Sequence, residues 1–159
     1  MITRILIVAG LVLSCSLCLA EDFPKNTNKI KSLTAEQAAD LVAQEFVKDK
    51  GYLPLLGLTS IDKDVAQELA KFKGSLYLWG LTSIDKDVAQ ELANFKGNLD
   101  LKGLTSIDKE LAQELAKYKG KYLFLNGLTS IDKDVLKILK SNPMILLPEK
   151  YRDQKSGNE

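Results

Sequence analysis

Histidine is absent from the sequence, cysteine occurs only at positions 15 and 18, and there is a single tryptophan, Trp79. Without histidine the chain lacks the side chain that most often carries protons near neutral pH and that most often ligates metals. Both cysteines lie in the first twenty residues, so the rest of the chain has no thiol nucleophile, no disulfide and no Cys/His metal site. Charge of one sign is missing as well. The 22 basic residues face 21 acidic ones, which offers no electrostatic footprint for nucleic acid and no polybasic membrane patch. Long hydrophobic runs are confined to Ile5–Leu19, which is shorter than a comfortable spanning helix. What remains is ordinary for a globular chain. With 45% hydrophobic and 27% charged residues in 159, it suffices for one domain with a modest core.

Arg4, the apolar run Ile5–Leu19 and the small-x-small triplet Cys18-Leu19-Ala20 read as the charged region, hydrophobic region and cleavage site of a signal peptide over residues 1–20. An exported protein is expected, secreted or periplasmic, with no spanning membrane segment after cleavage. Two alternatives compete. The run could stay as an uncleaved anchor. Val12-Leu13-Ser14-Cys15 also resembles a bacterial lipobox, which would make Cys15 a lipidated first residue. Residues 21–32 are read as a linker, and 148–159 as a disordered polar tail.

Between these ends the chain repeats itself. Leu58, Leu81, Leu104 and Leu128 each open an LTSID at spacings of 23, 23 and 24 residues, and Gly57–Ala70 is identical to Gly80–Ala93. A degraded earlier copy appears when Leu41–Gly51 is laid on Asp64–Gly74, and the last copy breaks down after Leu136. Each unit holds two periodicities. Leu76 and Leu78 alternate with polar or aromatic neighbours, which reads as a very short strand. Their counterparts are Leu53/Leu55, Leu99/Leu101, Leu123/Leu125 and, at the end, Met144/Leu146. Ile61, Val65, Leu69 and Phe72 make one apolar stripe of a helix of about three turns, widened by Ala66 and Ala70. Asp62 is the expected N-cap and Gly74 the expected stop. No unit can bury its stripe alone, so units must stack.

The unit LxLxGLTSIxxxxAxxLAxxxG resembles a leucine-rich repeat, closest to short bacterial forms and to the cysteine-containing subclass. Leu81-Thr82-Ser83-Ile84 stands where that subclass has Cys-x-x-Ile, and Leu92-Ala93 where it has Leu-Ala. The resemblance covers roughly residues 33 to 147. It implies an α/β solenoid, a right-handed stack of about five strand-loop-helix units with a parallel sheet on the concave side. Leucine replaces the usual loop asparagine or cysteine, so Thr59, Thr82, Thr105 and Thr129 are the candidates to satisfy loop backbone groups instead.

In such a stack the leucines point inward and the alternating residues outward. The outward set is Tyr52, Pro54 and Leu56, then Ser75, Tyr77 and Trp79, then Asn98, Asp100 and Lys102, then Tyr122, Phe124 and Asn126, then Pro143, Ile145 and Leu147. Helix sequences are nearly constant while these positions vary, and five of the eleven aromatic residues fall on them. Aromatic side chains supply contact area at low entropic cost. Tyr52, Tyr77, Trp79, Tyr122 and Phe124, with Asp100 and Lys102 between them, are therefore the candidate surface for a protein or glycan partner. Strand propensity alone also favours aromatics at such positions.

The recurring Asp62/Asp64, Asp85/Asp87, Asp108/Glu110 and Asp132/Asp134 pairs raise calcium binding and glycoside hydrolysis. A lysine inside each pair, the capping role of the first acid and repetition at every unit argue against both. The sequence thus points to a non-catalytic binding module without cofactor or metal. A structural or self-associating envelope component, anchored at Cys15, is the competing class.

Overall fold

The computed structural model describes residues 27–44 and 51–152. The proposed signal peptide and Cys15 lie outside the described residues, as do 45–50 and 153–159. Five strands, β1 (Tyr52–Pro54), β2 (Ser75–Tyr77), β3 (Asn98–Asp100), β4 (Tyr122–Phe124) and β5 (Ile145–Leu146), form one sheet in the order β1-β2-β3-β4-β5. Every neighbouring pair is parallel. Helices alternate with the strands: α1 (Ala35–Ala43), α2 (Lys63–Leu69), α3 (Lys86–Leu92), α4 (Lys109–Leu115), α5 (Lys133–Lys140) and a terminal turn α6 (Glu149–Arg152). The result is a repeating α/β arrangement with successive helices packed side by side.

The alternation read from the sequence sets the two faces of the sheet. Leu53, Leu76 and Leu99, and in the next inward row Leu55, Leu78 and Leu101, are fully buried. They share one hydrophobic cluster with Val65, Leu69, Val88, Leu92 and Leu115 from the helices. Each buried leucine contributes roughly 1.5–3 kcal/mol. Phe72, Phe95 and Tyr118 recur at one position and close the bottom of this core.

Local signals explain the helices. Asp62, Asp85 and Asp108 are N-caps, each accepting a bond 2.8 Å long from the backbone N–H three residues on. Ile61 and its counterparts sit just before the cap and pack on the core, outside the helix stripe to which the periodicity assigned Ile61. The helices are shorter than expected: α2, α3 and α4 have seven residues each. Gly74 does not stop α2. The helix gives way at Ala70, where Lys71 N–H bonds to Glu68 O and Phe72 N–H to Leu69 O, both at 3.1 Å. That tightened turn tucks Phe72 into the core.

The loops solve the missing side-chain ladder with backbone. Leu58, Leu81, Leu104 and Leu128 each donate N–H to the carbonyl three residues earlier, at 3.0–3.3 Å. The threonines contribute less than their recurrence suggested: Thr129 Oγ1 donates to Thr105 O at 3.1 Å, and no other of the four makes a side-chain bond of this kind among the described residues. Consecutive loops touch through backbone. A Cβ on Gly103 would stand 2.5 Å from Leu81 O, which is why glycine recurs there.

The ends depart from the reading of the repeats. In the first unit Thr34 caps α1 in a capping box with Gln37, and Ala38 and Leu41 are buried where Ala66 and Leu69 are in the next unit. Ala43, which the alignment of Leu41–Gly51 on Asp64–Gly74 matched to buried Ala66, is exposed. The helical half therefore starts earlier, and additional chain joins it to β1. Part of the supposed linker is folded: Thr27–Lys29 is a 3-10 turn, with Thr27 and Ile30 buried. Thr27 Oγ1 donates to Pro54 O at 2.6 Å, covering the free edge of β1. At the other end β5 is shifted by one residue from its expected phase. Leu123 pairs with Ile145, so Ile145 and Leu147 are buried and Met144 is exposed. A slip of one residue exchanges the two faces of a strand. The start of the polar tail is also ordered. In α6, Tyr151 packs on the core and Arg152 Nε donates to Leu147 O at 2.7 Å.

Candidate functional site on the open face of the sheet

The helices cover one face of the sheet. The other face carries the outward residues in three rows that follow the strand register. The first row is Tyr52, Ser75, Asn98, Tyr122 and then Met144. The second is Pro54, Tyr77, Asp100, Phe124 and Leu146. Leu56, Trp79, Lys102 and Asn126 continue the same alternation beyond the strand ends. All seven proposed contact residues, Tyr52, Tyr77, Trp79, Asp100, Lys102, Tyr122 and Phe124, therefore lie on this one face. Pro143, Ile145 and Leu147, also expected there, do not form its last column; Met144 and Leu146 do.

The face is patterned. On one side Tyr52, Tyr77 and Trp79 form an edge-to-face chain, with ring centroids 6.4 and 5.8 Å apart. On the other, Tyr122 and Phe124 sit 6.4 Å apart. Between them β3 is polar throughout. Asn98 Nδ2 donates to Ser75 Oγ at 3.1 Å, and Asp100 Oδ1 accepts from Lys102 N–H at 3.1 Å. Lys102 Nζ stands 3.0 Å from the Trp79 ring centroid, so the ammonium covers one face of the indole. Trp79 Nε1 and Asn98 Oδ1 are buried and meet no partner among the described residues.

Exposure separates these residues. Tyr77, Trp79 and Phe124 are half-buried against their neighbours. Tyr52, Tyr122 and Met144 are 44%, 48% and 42% exposed, and they are the large hydrophobic side chains that stand out from the described surface. All three belong to the first row. Sequence reasoning missed Met144, since its phase in β5 is decided by pairing with β4.

The carboxylate pairs do not converge. Asp62, Asp85 and Asp108 are engaged as caps, whereas Asp132 caps without a side-chain bond. The lysines between them reach across to the following unit, in Lys63–Glu91, Lys86–Glu110 and Lys109–Asp134 contacts of 4.0, 3.7 and 3.9 Å. Tyr118 is a titratable group whose environment moves it clearly. Burial pushes its phenol well above the usual value, opposed by a backbone bond at Leu99. It sits in the core and takes no part in the open face.

Compared with protein-family models, curated proteins and solved structures, the chain gives no match.

Proposed function

We propose that the chain is an exported, non-catalytic binding module that recognises a glycan or protein through the open face of its sheet. On this reading the repeating α/β units make a right-handed, leucine-rich-repeat-like solenoid. The observation that carries the proposal is the first row: Tyr52, Tyr122 and Met144 expose large apolar surface in one line, with Ser75 and Asn98 between them. Exposed apolar side chains gathered in one place mark interaction surfaces.

Area favours a slender partner. Five columns about 4.8 Å apart, each about five residues from the first row to the position beyond the strand end, present roughly 400 Å². A standard protein interface takes about 800 Å² from each side. Face-to-face pairing of two copies, the structural alternative, falls short of that unless the rims add to it. An extended glycan or single peptide segment needs no more than this face offers.

The test uses Trp79 as reporter. Its emission and its quenching by acrylamide, followed across protein concentration, should show an indole accessible on one side and unaffected by dilution. Protection that disappears on dilution would replace the binding reading with self-association. The variant Y52A/Y122A should unfold within about 0.5 kcal/mol of the wild type, as exposed positions do. Collapse of the fold would show these rings to be structural.

A further inference from the structure

From the arrangement of its lysines we infer that the open face binds a linear anionic glycan of the polyuronate class; the inference rests on the sheet-face reading above. The overall charge is close to balanced, but the fold does not distribute it evenly. Of the lysines at the helix N-termini, Lys63, Lys86 and Lys109 each lie within 4.0 Å of a carboxylate of the next unit, while Lys133 of the last unit has no ion pair among the described residues. At the opposite end of each unit Lys71 and Lys117 pair with Glu68 and Glu114 of their own helices, but beside them stands a second lysine column: Lys73, Lys96 and Lys119, two to three residues before β2, β3 and β4. All three are exposed, and their side chains make neither ion pair nor hydrogen bond among the described residues. A fourth member is Lys121. It is the residue inserted between Gly120 and Tyr122, which makes the Asn98-to-Tyr122 spacing 24 residues where Ser75 to Asn98 is 23. It too is exposed and unpaired.

Stacking therefore sets the backbones of Lys73, Lys96 and Lys119 on successive units at the pitch of the strands, about 4.8 Å, with Lys121 beside the last of them. This column borders the strand ends that carry Tyr52, Ser75, Asn98, Tyr122 and Met144. A ligand on this border meets the exposed rings of Tyr52 and Tyr122 and the polar, partly exposed Ser75 and Asn98 on one side, and a line of positive charge on the other. Sugars use rings, hydroxyls and amides together; a carboxylate on each sugar would use the lysines. An acidic peptide strand fits less well, because its same-face side chains recur at about 6.7 Å. A stacked nucleic-acid strand, at about 3.4 Å per phosphate, fits less well from the other direction.

The experiment is calorimetric titration of the full chain with polygalacturonate, with its fully methyl-esterified form, and with poly-L-glutamate. Three proteins are compared: the wild type, K73Q/K96Q/K119Q/K121Q and Y52A/Y122A, with circular dichroism to verify the fold. Saturable binding to polygalacturonate is expected. It should weaken by up to roughly 50-fold between about 50 and 200 mM salt, as four charge contacts imply. It should be lost with the ester and in the lysine variant, and reduced in the tyrosine variant. Equal binding of the ester, undisturbed by lysine neutralisation, would overturn the anionic assignment and leave the sheet face as a neutral-glycan site. Equal binding of polyglutamate would overturn the glycan assignment. Binding lost with the lysines but indifferent to the tyrosines would overturn the sheet-face reading itself. No binding to polygalacturonate would overturn the inference outright.

Discussion

Replacing Tyr118 by phenylalanine tests how the repeat accommodates the residue inserted before β4, Lys121. The equivalent positions are Phe72 and Phe95, so Y118F restores the common residue and removes only a hydroxyl. That hydroxyl donates to Gly97 O at 2.7 Å and approaches Tyr122 O at 3.2 Å, while Gly97 O also accepts from Lys121 N–H at 2.8 Å. Since Gly97 O keeps one donor, the loss is that of one to two ordinary buried bonds, about 1–1.5 kcal/mol. For a domain of this size the midpoint should fall by roughly 3–6 °C. The reverse change, F95Y, should cost about 1–3 kcal/mol. Phe95 is fully buried, and a Cβ built on Gly97 would stand nearer to Gly74 O than one built on Gly120 would to Gly97 O, so the regular unit has less room for a hydroxyl. Alkaline pH supplies a second readout. Burial raises the folded-state pKa of Tyr118 above its usual 10.0. Below pH 10 the phenol is neutral in both states and its bonds contribute in full. Above it the unfolded chain ionises first, and the contribution is lost as pH rises toward the folded value. The stability gap between wild type and Y118F, measured by urea unfolding, should therefore close above pH 10. A Y118F protein as stable as the wild type at pH 7, with F95Y equally harmless, would refute the link between the inserted residue and the hydroxyl.

Three further outcomes are expected. L99A, which empties a fully buried position on the central strand, should destabilise by about 2–5 kcal/mol in urea unfolding. D85A should cost about 1 kcal/mol by losing a 2.8 Å cap bond, whereas D132A, whose side chain makes none, should cost clearly less by the same assay. K102A should uncover the indole of Trp79 and increase its acrylamide quenching while leaving the far-ultraviolet circular dichroism unchanged, because Lys102 is exposed and its principal contact is the ring.

The centre of the molecule was legible in the sequence and its ends were not. Period, inward leucines and aspartate caps are local signals, and in the middle units each copy has a neighbour on both sides that enforces the same register. Tyr52, Tyr77, Trp79, Asp100, Lys102, Tyr122 and Phe124 were placed on one face by strand alternation alone. At the ends, pattern matching lost the phase. Ala38 and Leu41 take the places of Ala66 and Leu69 because burial against α2 decides the register, against the visible match of Val42-Ala43-Gln44 to Val65-Ala66-Gln67. Ile145 rather than Met144 turns inward because the backbone of β4 selects its partner.

By itself, the sequence determined that one short strand and one short helix recur, which side chains are apolar on each, and where the helices of the middle units begin. Those are properties of a few neighbouring residues and follow from stereochemistry and periodicity. Only the tertiary structure decided what lies beside what across the repeat. It set the Lys102 ammonium on Trp79, left Tyr52, Tyr122 and Met144 exposed in one row, and left Lys73, Lys96, Lys119 and Lys121 without ion pairs among the described residues while Lys63, Lys86 and Lys109 found carboxylates in the next unit. Those relations depend on distances between units some 23 residues apart, and a net charge or a repeat period carries no information about them.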